Sequence, residues 1–421
     1  MKILLYTQYF PPESNAPANR WAGFVKCLRD RGHKITVLTS FPNHPLGQIF
    51  DGYKNQWRLV EQNKGVKIIR SWTYVSSAKG FLPRIMNYLS FAFSSFFNSL
   101  SEKNNDLIIA SMPPLTVGLV GKIISRRFKK PLIIDLRDLW PEAAQSTGYL
   151  KSSNVFHRFL YSISKRKAQS IYDYARVILI NSPALKEELI CSYGVSSDKI
   201  YFIPNGVDLD LFANNSVMAE KIIEEKYQLK NKFVVLYSGL VGFAQNVELI
   251  VRTANLAKEN KDIVFLIVGT GPKLPEVKNM IELMELKNVV LTGFRPRQEI
   301  PIFIKKADVC LVTYKNDVTF TKNIPSKIFD YLAGAKPIII NLEGAASEMI
   351  LEAGAGLVVP PDDPWALYEV IMKLYRDAVL KDKLGFNGQT YALNHYDQKI
   401  IARKLEQILE EIVGRLNYKN L

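Results

Sequence analysis

Short apolar runs alternate with amphipathic stretches along the chain, a pattern typical of layered α/β proteins. The opening run KILLYT is followed by a loop rich in Pro and Asn. A helix is then predicted, because one face of the next stretch carries apolar residues at i, i+3, i+4 and i+7, namely Trp21, Phe24, Val25 and Leu28. Gly32 is expected to close this helix, and KITVLTS resumes as a strand. The later runs VKIIRSW, DLIIA, PLIID, RVILIN and KIYFIP extend the pattern, which predicts a parallel sheet with helices on both faces.

The same alternation starts again after the segment Pro204-Asn205-Gly206. Its strand-like runs are FVVLYSG, DIVFLIVG, NVVLTG, DVCLVTY and KPIIIN. Two such series predict two Rossmann-like, doubly wound domains that face a cleft, residues 1–204 and 205–392, followed by a C-terminal segment, residues 393–421, that forms an amphipathic helix. Since ligands in open α/β sheets bind at the carboxyl ends of strands, the loops after these strands are the places to look for function.

Length and composition agree with two globular domains. The 421 residues exceed the roughly 250–300 at which a single core stops growing. The three cysteines, Cys27, Cys191 and Cys310, fit neither a disulfide framework nor a zinc site, which favours a reducing, cytoplasmic location. The first residues contain no apolar signal core and are interpreted as a strand.

The positive charge is confined to one half of the chain. Residues 1–204 contain 28 Lys and Arg against 13 Asp and Glu, whereas residues 205–421 contain 27 of each class. The whole net charge of +15 therefore lies in the first half, which indicates an anionic partner there, either nucleic acid or acidic lipid. There is no RNA- or DNA-binding signature, so a nucleic-acid-binding protein is supported by charge alone.

Glycines follow several strands of the second half. The pairs are Gly239 with Gly242 and Gly269 with Gly271. Glycine lets a backbone approach a diphosphate closely, although glycine also serves tight turns between strands and helices. Neither stretch is GxGxxG or GxxxxGK[ST], which argues against a dinucleotide oxidoreductase and a P-loop NTPase.

The segment NIPSKIFDYLAGAKP, residues 323–337, combines helix-start and anion-binding features. Pro325 is expected in the first helical turn, with Ser326 and Lys327 beside it, where the helix dipole and the ammonium both favour a phosphate. Asp330 follows one turn later, where its carboxylate could accept hydrogen bonds from ribose hydroxyls. A capped helix with an i,i+3 Lys–Asp pair is the alternative.

Together these segments resemble retaining glycosyltransferase family 4. The resemblance rests on RGHKITVLTS, IPNGVD, IVGTGP, NVVLTG and PSKIFDYLAGAKP in this order, and it extends from Met1 to about residue 390. YFPPESNAPANR, RDLWPE and SGLVGFAQN are most similar to bacterial O-antigen and capsule transferases, including N-acetyl-L-fucosamine transferases. The resemblance implies a GT-B fold with an N-terminal acceptor domain, a C-terminal nucleotide-sugar domain and a last helix that crosses back to the first domain.

The resemblance also assigns donor-site residues. Asp330 falls where the family has its ribose-binding Glu, Gly239 and Gly242 fall on the diphosphate loop, and the backbone around Phe294 falls where the base is contacted.

Two departures from the family pattern bear on this site. The first Glu of the family motif is replaced by Lys322, and the cations after the first loop glycine are replaced by Leu240 and Gln245. The phosphate cation is therefore expected to be Lys327, with Arg295 as the second candidate.

The segment DLRDLWPE, residues 135–142, is expected to form the catalytic side of the first domain. Arg137 stands where many family members carry His, and Asp138 keeps its acidic type. Arg137 would steady a phosphate or the sugar, and Asp138 or Glu142 would contact the acceptor hydroxyl. An Arg–Asp pair that only fixes the loop is the alternative. Glu13 and Arg20, in and after the first βα loop, are expected to face the cleft.

No metal site is predicted. The DxD string at Asp208 and Asp210 lies in a segment to which the resemblance gives a structural and hinge role, and the four histidines have no ligand-like spacing.

The segment 79–100 is apolar and aromatic but too polar for a membrane-spanning helix. It is expected to be either well buried or partly immersed in a membrane surface. The clusters at residues 126–130 and 165–167 add basic residues in the same half, so a reversible attachment to anionic lipid is expected.

Taken together, these features predict a cytoplasmic glycosyltransferase, peripheral on the inner face of the cytoplasmic membrane. It would move a sugar, such as an N-acetylated amino or deoxy sugar, from a UDP-type donor to a lipid-linked glycan in surface polysaccharide synthesis, with no metal and no nucleic-acid partner. A GT-B-fold nucleotide-sugar epimerase is the alternative enzyme.

Overall fold

The computed structural model describes residues 1–45, 47–78, 80–146, 154–213, 217–317 and 320–419. The chain divides into two compact units, one formed by Met1–Pro204 with Lys399–Leu421 and the other by Asn205–Gln398. Among the described residues, no helix is long and apolar enough to cross a membrane.

The first unit is built on an eight-stranded sheet with the order β3-β4-β2-β1-β5-β6-β7-β8. All neighbouring strands are parallel except β3 and β4, which form an antiparallel edge pair. The strands are β1 (Lys2–Tyr6), β2 (Lys34–Ser40), β3 (Arg58–Asn63), β4 (Val66–Ser71), β5 (Leu107–Met112), β6 (Leu132–Leu136), β7 (Val177–Ile180) and β8 (Ile200–Phe202). The central strands β5, β6 and β7 are buried along their whole length, which explains their continuous apolar runs.

Seven helices belong to this unit within the described residues. They are α1 (Ala16–Asp30), α2 (Phe81–Ser99), α3 (Leu115–Phe128), α4 (Glu142–Ser146), α5 (Val155–Tyr174), α6 (Ala184–Tyr193) and α16 (Gln398–Lys419). The side chain of Asn15 caps α1 by accepting from the Ala18 amide, and Gly32 follows its last turn with a φ of +86°, as expected. The helix α16 buries Ile401, Leu405 and Leu409.

The second unit has a six-stranded, all-parallel sheet with the order β11-β10-β9-β12-β13-β14. The strands are β9 (Phe233–Ser238), β10 (Ile263–Val268), β11 (Val289–Gly293), β12 (Val309–Val312), β13 (Ile338–Ile340) and β14 (Gly356–Val358). The helices described are α7 (Asp210–Ala213), α8 (Val217–Lys226), α9 (Val247–Leu256), α10 (Leu274–Leu283), α11 (Ile300–Lys306), α12 (Lys327–Ala333), α13 (Ala345–Glu352), α14 (Pro364–Arg376) and α15 (Ala378–His395).

Two features differ from what the sequence pattern predicts. The pattern omits strand β3, because RLVEQN is mostly polar, and strand β14, because GLV is only three residues long. Helix α2 buries Phe91 but exposes five other large apolar side chains, so the expectation that this segment is well buried is wrong.

Candidate active site

The loop after β9 is packed against the loop after β10 at distances that only glycine allows. A Cβ on Gly269 would lie 1.8 Å from the carbonyl oxygen of Gly239, and one on Gly271 would lie 2.4 Å from that of Val241. The two loops also share a hydrogen bond from the Val241 amide to the Thr270 carbonyl, 3.0 Å long. Gly269 and Gly271 are therefore required by the contact between loops, whatever else they bind.

Gly239 lies beside a buried cation. Its φ is +139°, and a Cβ built on it would lie 3.0 Å from Nζ of Lys327, the first residue of α12. Gly242, three residues on, lies against the side chain of Gln245. Of the four glycines predicted at the diphosphate, Gly239 is thus the one that the structure places next to a positive charge.

The Lys327 ammonium nitrogen is buried and has no hydrogen-bond partner among the described residues. It lies 3.7 Å from the centroid of the Tyr237 ring, a cation–π contact. The Tyr237 hydroxyl donates to the Leu240 carbonyl at 2.7 Å, so the ring is held in place by the same loop. Burial lowers the pKa of Lys327 from 10.5 to about 7. A buried amine without a partner is costly, which marks this position as a binding site for an anion.

Helix α12 is fixed to strand β9 independently of any ligand. The Ser238 amide donates to the Tyr331 hydroxyl at 2.8 Å, and Tyr331 is fully buried. Ser326 precedes the helix, and its side chain makes no capping hydrogen bond. Pro325 lies two residues before the first helical residue, so its predicted place in the first turn is corrected.

Asp330 is already bound by an arginine. Nη1 and Nη2 of Arg297 donate to its two carboxylate oxygens at 2.6 and 2.5 Å, in a mostly buried bidentate pair. Each carboxylate oxygen has a second lone pair, so Asp330 can still accept from hydroxyl groups. Arg297 was not identified from the sequence, because its partner lies 33 residues away along the chain.

Arg295, the second candidate for the phosphate cation, is engaged elsewhere. Its guanidinium donates to the Tyr227 hydroxyl and, at 3.2 Å, to the Thr292 carbonyl. The ring of Phe294 is about half exposed, at 47%. Lys327 therefore remains the better candidate for the phosphate contact.

In the first unit, buried polar atoms without partners cluster at the carboxyl ends of neighbouring strands. Within the described residues these atoms include Oε1 of Gln8 after β1, Oγ1 of Thr116 after β5, Nε of Arg137 after β6 and Oδ1 of Asn181 after β7. Such atoms are rare in folded proteins and frequently mark binding sites. Sequence analysis identified only Arg137 among them.

Arg137 is held at the end of β6, and Asp138 follows it. One guanidinium nitrogen, Nη2, donates to the Pro113 carbonyl at 2.8 Å. Burial lowers the pKa of Arg137, while Asp135 and Asp138 oppose this effect. An arginine remains charged in proteins, so this edge of the sheet carries a fixed positive charge.

Glu142 is fixed by tyrosines of two other helices. The hydroxyl of Tyr193 in α6 lies 2.8 and 2.9 Å from its two carboxylate oxygens, and that of Tyr161 in α5 lies 3.3 Å from one of them. These bonds tie α4 to α5 and α6, a structural role that the sequence did not reveal.

Arg20 was expected to face the cleft, and this expectation is wrong. Its side chain is 1% exposed and pairs with Asp135, which is fully buried, at 3.0 Å. Nη1 and Nη2 also donate to the carbonyls of Pro204 and Ile203, each at 2.8 Å. Arg20 thus joins α1 to β6 and to the segment after β8.

Glu13 was expected to face the cleft as well, but it is 2% exposed. Its carboxylate accepts from the amides of Asn43 and His44, both at 2.9 Å, and links the loops after β1 and β2. Burial raises the pKa of Glu13 to about 7. The ring of Tyr9 lies edge-on to His44 at 5.5 Å, and burial lowers the pKa of His44 to about 4, so this cluster holds a neutral imidazole at pH 7.

Two family profiles together match most of the chain. The profile of glycosyltransferase family 4 matches residues 18–211, and that of glycosyl transferases group 1 matches residues 219–391. The chain belongs to these glycosyltransferases.

Curated relatives and solved structures agree with this assignment. The transferase is 24% identical to the colanic acid biosynthesis glycosyl transferase WcaI of Escherichia coli K12, covering 98% of this chain and 100% of the relative. It is 26% identical to the glycosyltransferase WbjE of Pseudomonas aeruginosa, over 88% of each chain. The crystal structure of Anabaena HepE in complex with UDP superposes with a TM-score of 0.71 at 19% identity, covering 98% of this chain and 100% of that one. The fold is therefore GT-B, and the relatives favour a role in polysaccharide biosynthesis over the epimerase alternative.

One group of metal-capable side chains occurs among the described residues of the transferase, and it lies away from these loops. His33, Glu406 and Glu410 bring their ligand atoms within 4.8 Å of one another, near the start of β2. Arg31 pairs with Glu406, and Nε2 of His33 lies 2.7 Å from the same carboxylate. The guanidinium occupies the carboxylate that a metal ion would need, so the group is better explained as an anchor for α16.

Proposed function

We propose that the transferase moves a sugar from a UDP-sugar donor to a lipid-linked glycan in bacterial surface polysaccharide synthesis, with retention of anomeric configuration. The sugar is an N-acetylated amino or deoxy sugar, following the resemblance to O-antigen and capsule transferases. The observation that carries the donor site is the buried, unpartnered ammonium of Lys327 beside Gly239.

The donor diphosphate lies at the end of β9 in this proposal. Lys327 binds the phosphate oxygens, and the loop at Gly239 and Gly242 approaches them through its backbone. Asp330, one turn further along α12, accepts from the ribose hydroxyls, and Phe294 lies at the base. The support is the shared position of a cation, a glycine with positive φ and a carboxylate on adjacent segments, together with a structural relative solved with UDP.

Lys327 acts on the departing diphosphate. When the bond between the sugar carbon and the phosphate oxygen breaks, negative charge grows on the diphosphate, and a buried ammonium stabilises it more strongly than an exposed one. The acceptor hydroxyl attacks the same face of the sugar, its proton passes to the leaving oxygen, and no covalent glycosyl-enzyme forms. Fixed cations take the place of a divalent metal in this scheme.

The first unit holds the acceptor. Arg137 steadies an anionic or sugar group there, and Asp138 contacts the acceptor hydroxyl. The cluster of unpartnered polar atoms at the strand ends supports a polar ligand at this edge. The protein works at the inner face of the cytoplasmic membrane, where a lipid-linked acceptor would be presented.

Kinetics and product analysis of Lys327→Ala test this function. A lost transition-state contact should lower kcat by about 10²–10³-fold, with product anomers identified by NMR. Glu282→Ala, an exposed change in the same unit, is the control. An inverted product contradicts retention, and an unimpaired kcat per folded molecule removes Lys327 from the mechanism.

A thermal-shift screen with UDP, GDP, NAD and oligonucleotides tests the ligand class. UDP should stabilise the protein, and stabilisation by oligonucleotides alone would contradict the proposal.

A further inference from the structure

Helix α2 places its polar residues against the protein and its apolar residues in solvent. Five large side chains are exposed by between 45% and 68%, namely Leu82, Met86, Leu89, Phe93 and Phe97. They follow one another at steps of three or four residues, so they form a single stripe about 22 Å long at the usual rise of about 1.5 Å per residue. We refer to these five residues as the α2 stripe.

The opposite face of α2 explains this orientation. Oγ of Ser94 donates to the Trp72 carbonyl at 2.6 Å, and Nδ2 of Asn98 donates to the Trp57 carbonyl at 2.9 Å. Both side chains are buried. The helix is therefore anchored by hydrogen bonds that would be lost if it rotated to bury the stripe, and the stripe must find its cover outside the protein.

Neighbouring apolar residues extend the stripe. The ring of Trp57, which is 49% exposed, lies 6.0 Å from that of Phe93. At the other end of α2, Phe81 contacts His157 of α5 with ring centroids 5.2 Å apart. Phe156 and Phe159 follow on α5 and are both more than 60% exposed.

The charges around the stripe are almost all positive. Helix α3 packs between α2 and α5, and the three helices contain eight Lys and Arg residues but only one acidic residue, Asp173. Arg84, Arg127 and Arg158 are among the exposed ones. A second copy of the chain would bring the same cations to the interface, and like charges would oppose it. An apolar stripe among cations matches the anionic surface of a bilayer.

We propose that the α2 stripe and the basic surface of α3 and α5 form the site where this protein docks on an anionic bilayer. The stripe lies along the interface with its side chains among the acyl chains, and the arginines contact the headgroups. Gln8, after β1, donates from Nε2 to Oδ1 of Asn87 in α2 at 2.6 Å, so the docked helix adjoins the proposed acceptor loops. The inference rests on the proposed function only for the identity of the acceptor.

Vesicle flotation of the full chain tests the surface. The probes are vesicles of phosphatidylglycerol mixed with phosphatidylcholine and vesicles of phosphatidylcholine alone. We expect the wild type to float with the anionic vesicles, and Leu89→Ser with Phe93→Ser to weaken this binding by about tenfold or more, because two large apolar groups no longer leave water. The control is Leu283→Ser with Phe386→Ser, whose side chains are 76% and 68% exposed in the other unit.

A second pair separates the electrostatic contribution. Arg127→Gln with Arg158→Gln should weaken anionic binding by about fivefold for each charge. High salt should weaken wild-type binding in the same direction, since the Debye length falls to about 3 Å at 1 M.

Four results would overturn the proposal. These are a wild type that does not bind anionic vesicles at low salt, equal binding to both vesicle types, undiminished binding by the serine variant of α2, and a solution dimer that this variant dissociates. Calorimetry with UDP on the same proteins separates this inference from the function proposed above. A serine variant that keeps its melting temperature and UDP affinity but leaves the vesicles supports docking, whereas a wild type that binds vesicles but not UDP contradicts only the donor site.

Discussion

Replacing Lys327 with methionine tests the donor site through protons rather than through activity. Methionine has a similar length and no charge. In the free protein, burial lowers the pKa of Lys327 to about 7. The amine is therefore about half protonated at neutral pH and about 10% protonated at pH 8.

Binding of a diphosphate should reverse this effect. A phosphate beside Nζ favours the ammonium form and raises the pKa of Lys327 in the complex. At pH 8 the protein should then take up about 0.9 proton for each UDP bound. The affinity for UDP should accordingly be fully present below pH 7 and should fall as the pH rises through about 7 towards the pKa of the complex.

Calorimetry at pH 8 in two buffers of different ionisation enthalpy measures this uptake. The terminal phosphate of UDP contributes little there, because the second ionisation of a phosphate lies near pH 6. Lys327→Met should bind UDP more weakly by about 1.5–3 kcal/mol and should take up almost no proton. Lys258→Met, an exposed change at the end of α9, should behave as the wild type. Equal uptake by wild type and Lys327→Met would refute the assignment of Lys327 to the phosphate.

The same variant has a stability consequence of opposite sign to that of a helix cap. The unfolded chain keeps a lysine pKa near 10.4, so between about pH 7 and 10 it binds a proton that the folded state does not. This residue therefore makes wild-type stability rise with pH in that range and costs up to about 4 kcal/mol at pH 7. Lys327→Met should raise the free energy of unfolding at pH 7, measured by urea denaturation, whereas loss of a cap would lower it.

Three further results are expected. Asp330→Ala should weaken UDP binding by about 1–3 kcal/mol and also lower stability, because Arg297 loses its partner; unchanged calorimetry would remove Asp330 from the site. Glu13→Gln should raise stability above pH 7, because the folded state holds a proton between about pH 4.5 and 7 that the unfolded state releases, so wild-type stability falls as pH rises through that window; parallel pH profiles of urea unfolding would contradict this. EDTA should leave transfer unchanged, and activity lost in EDTA and restored by Mg²⁺ would refute metal independence.

The layered fold could be predicted because buried parallel strands leave a continuous apolar signal. The runs PLIID and RVILIN become β6 and β7, and both are covered on two faces. Strand β3 escaped prediction because an edge strand with one exposed face needs few apolar residues. Its burial depends on β4, which is a tertiary fact.

The candidate site was predictable only where one segment contains it. Lys327 and Asp330 could be paired from their spacing on α12, but the bond from Arg297 to Asp330 joins segments that the fold brings together. Arg20 was misassigned for the same reason, since its partner Asp135 lies 115 residues away along the chain. The orientation of α2 also depends on tertiary hydrogen bonds, because a periodicity does not say which face meets the protein.

The arrangement around Lys327 suggests why a protein would keep so unfavourable a residue. Tyr331 fixes α12 on β9 through Ser238, and Tyr237 holds the ammonium over its ring, so the cation is in place before any donor arrives. An electrostatic contact that needs no rearrangement is the kind that stabilises a charged transition state most. With Leu240 and Gln245 in place of the family's cations, one buried lysine must supply this charge. The free protein is then destabilised by the buried ammonium, and the proposed diphosphate would relieve that cost, which joins donor affinity, proton uptake and stability in one residue.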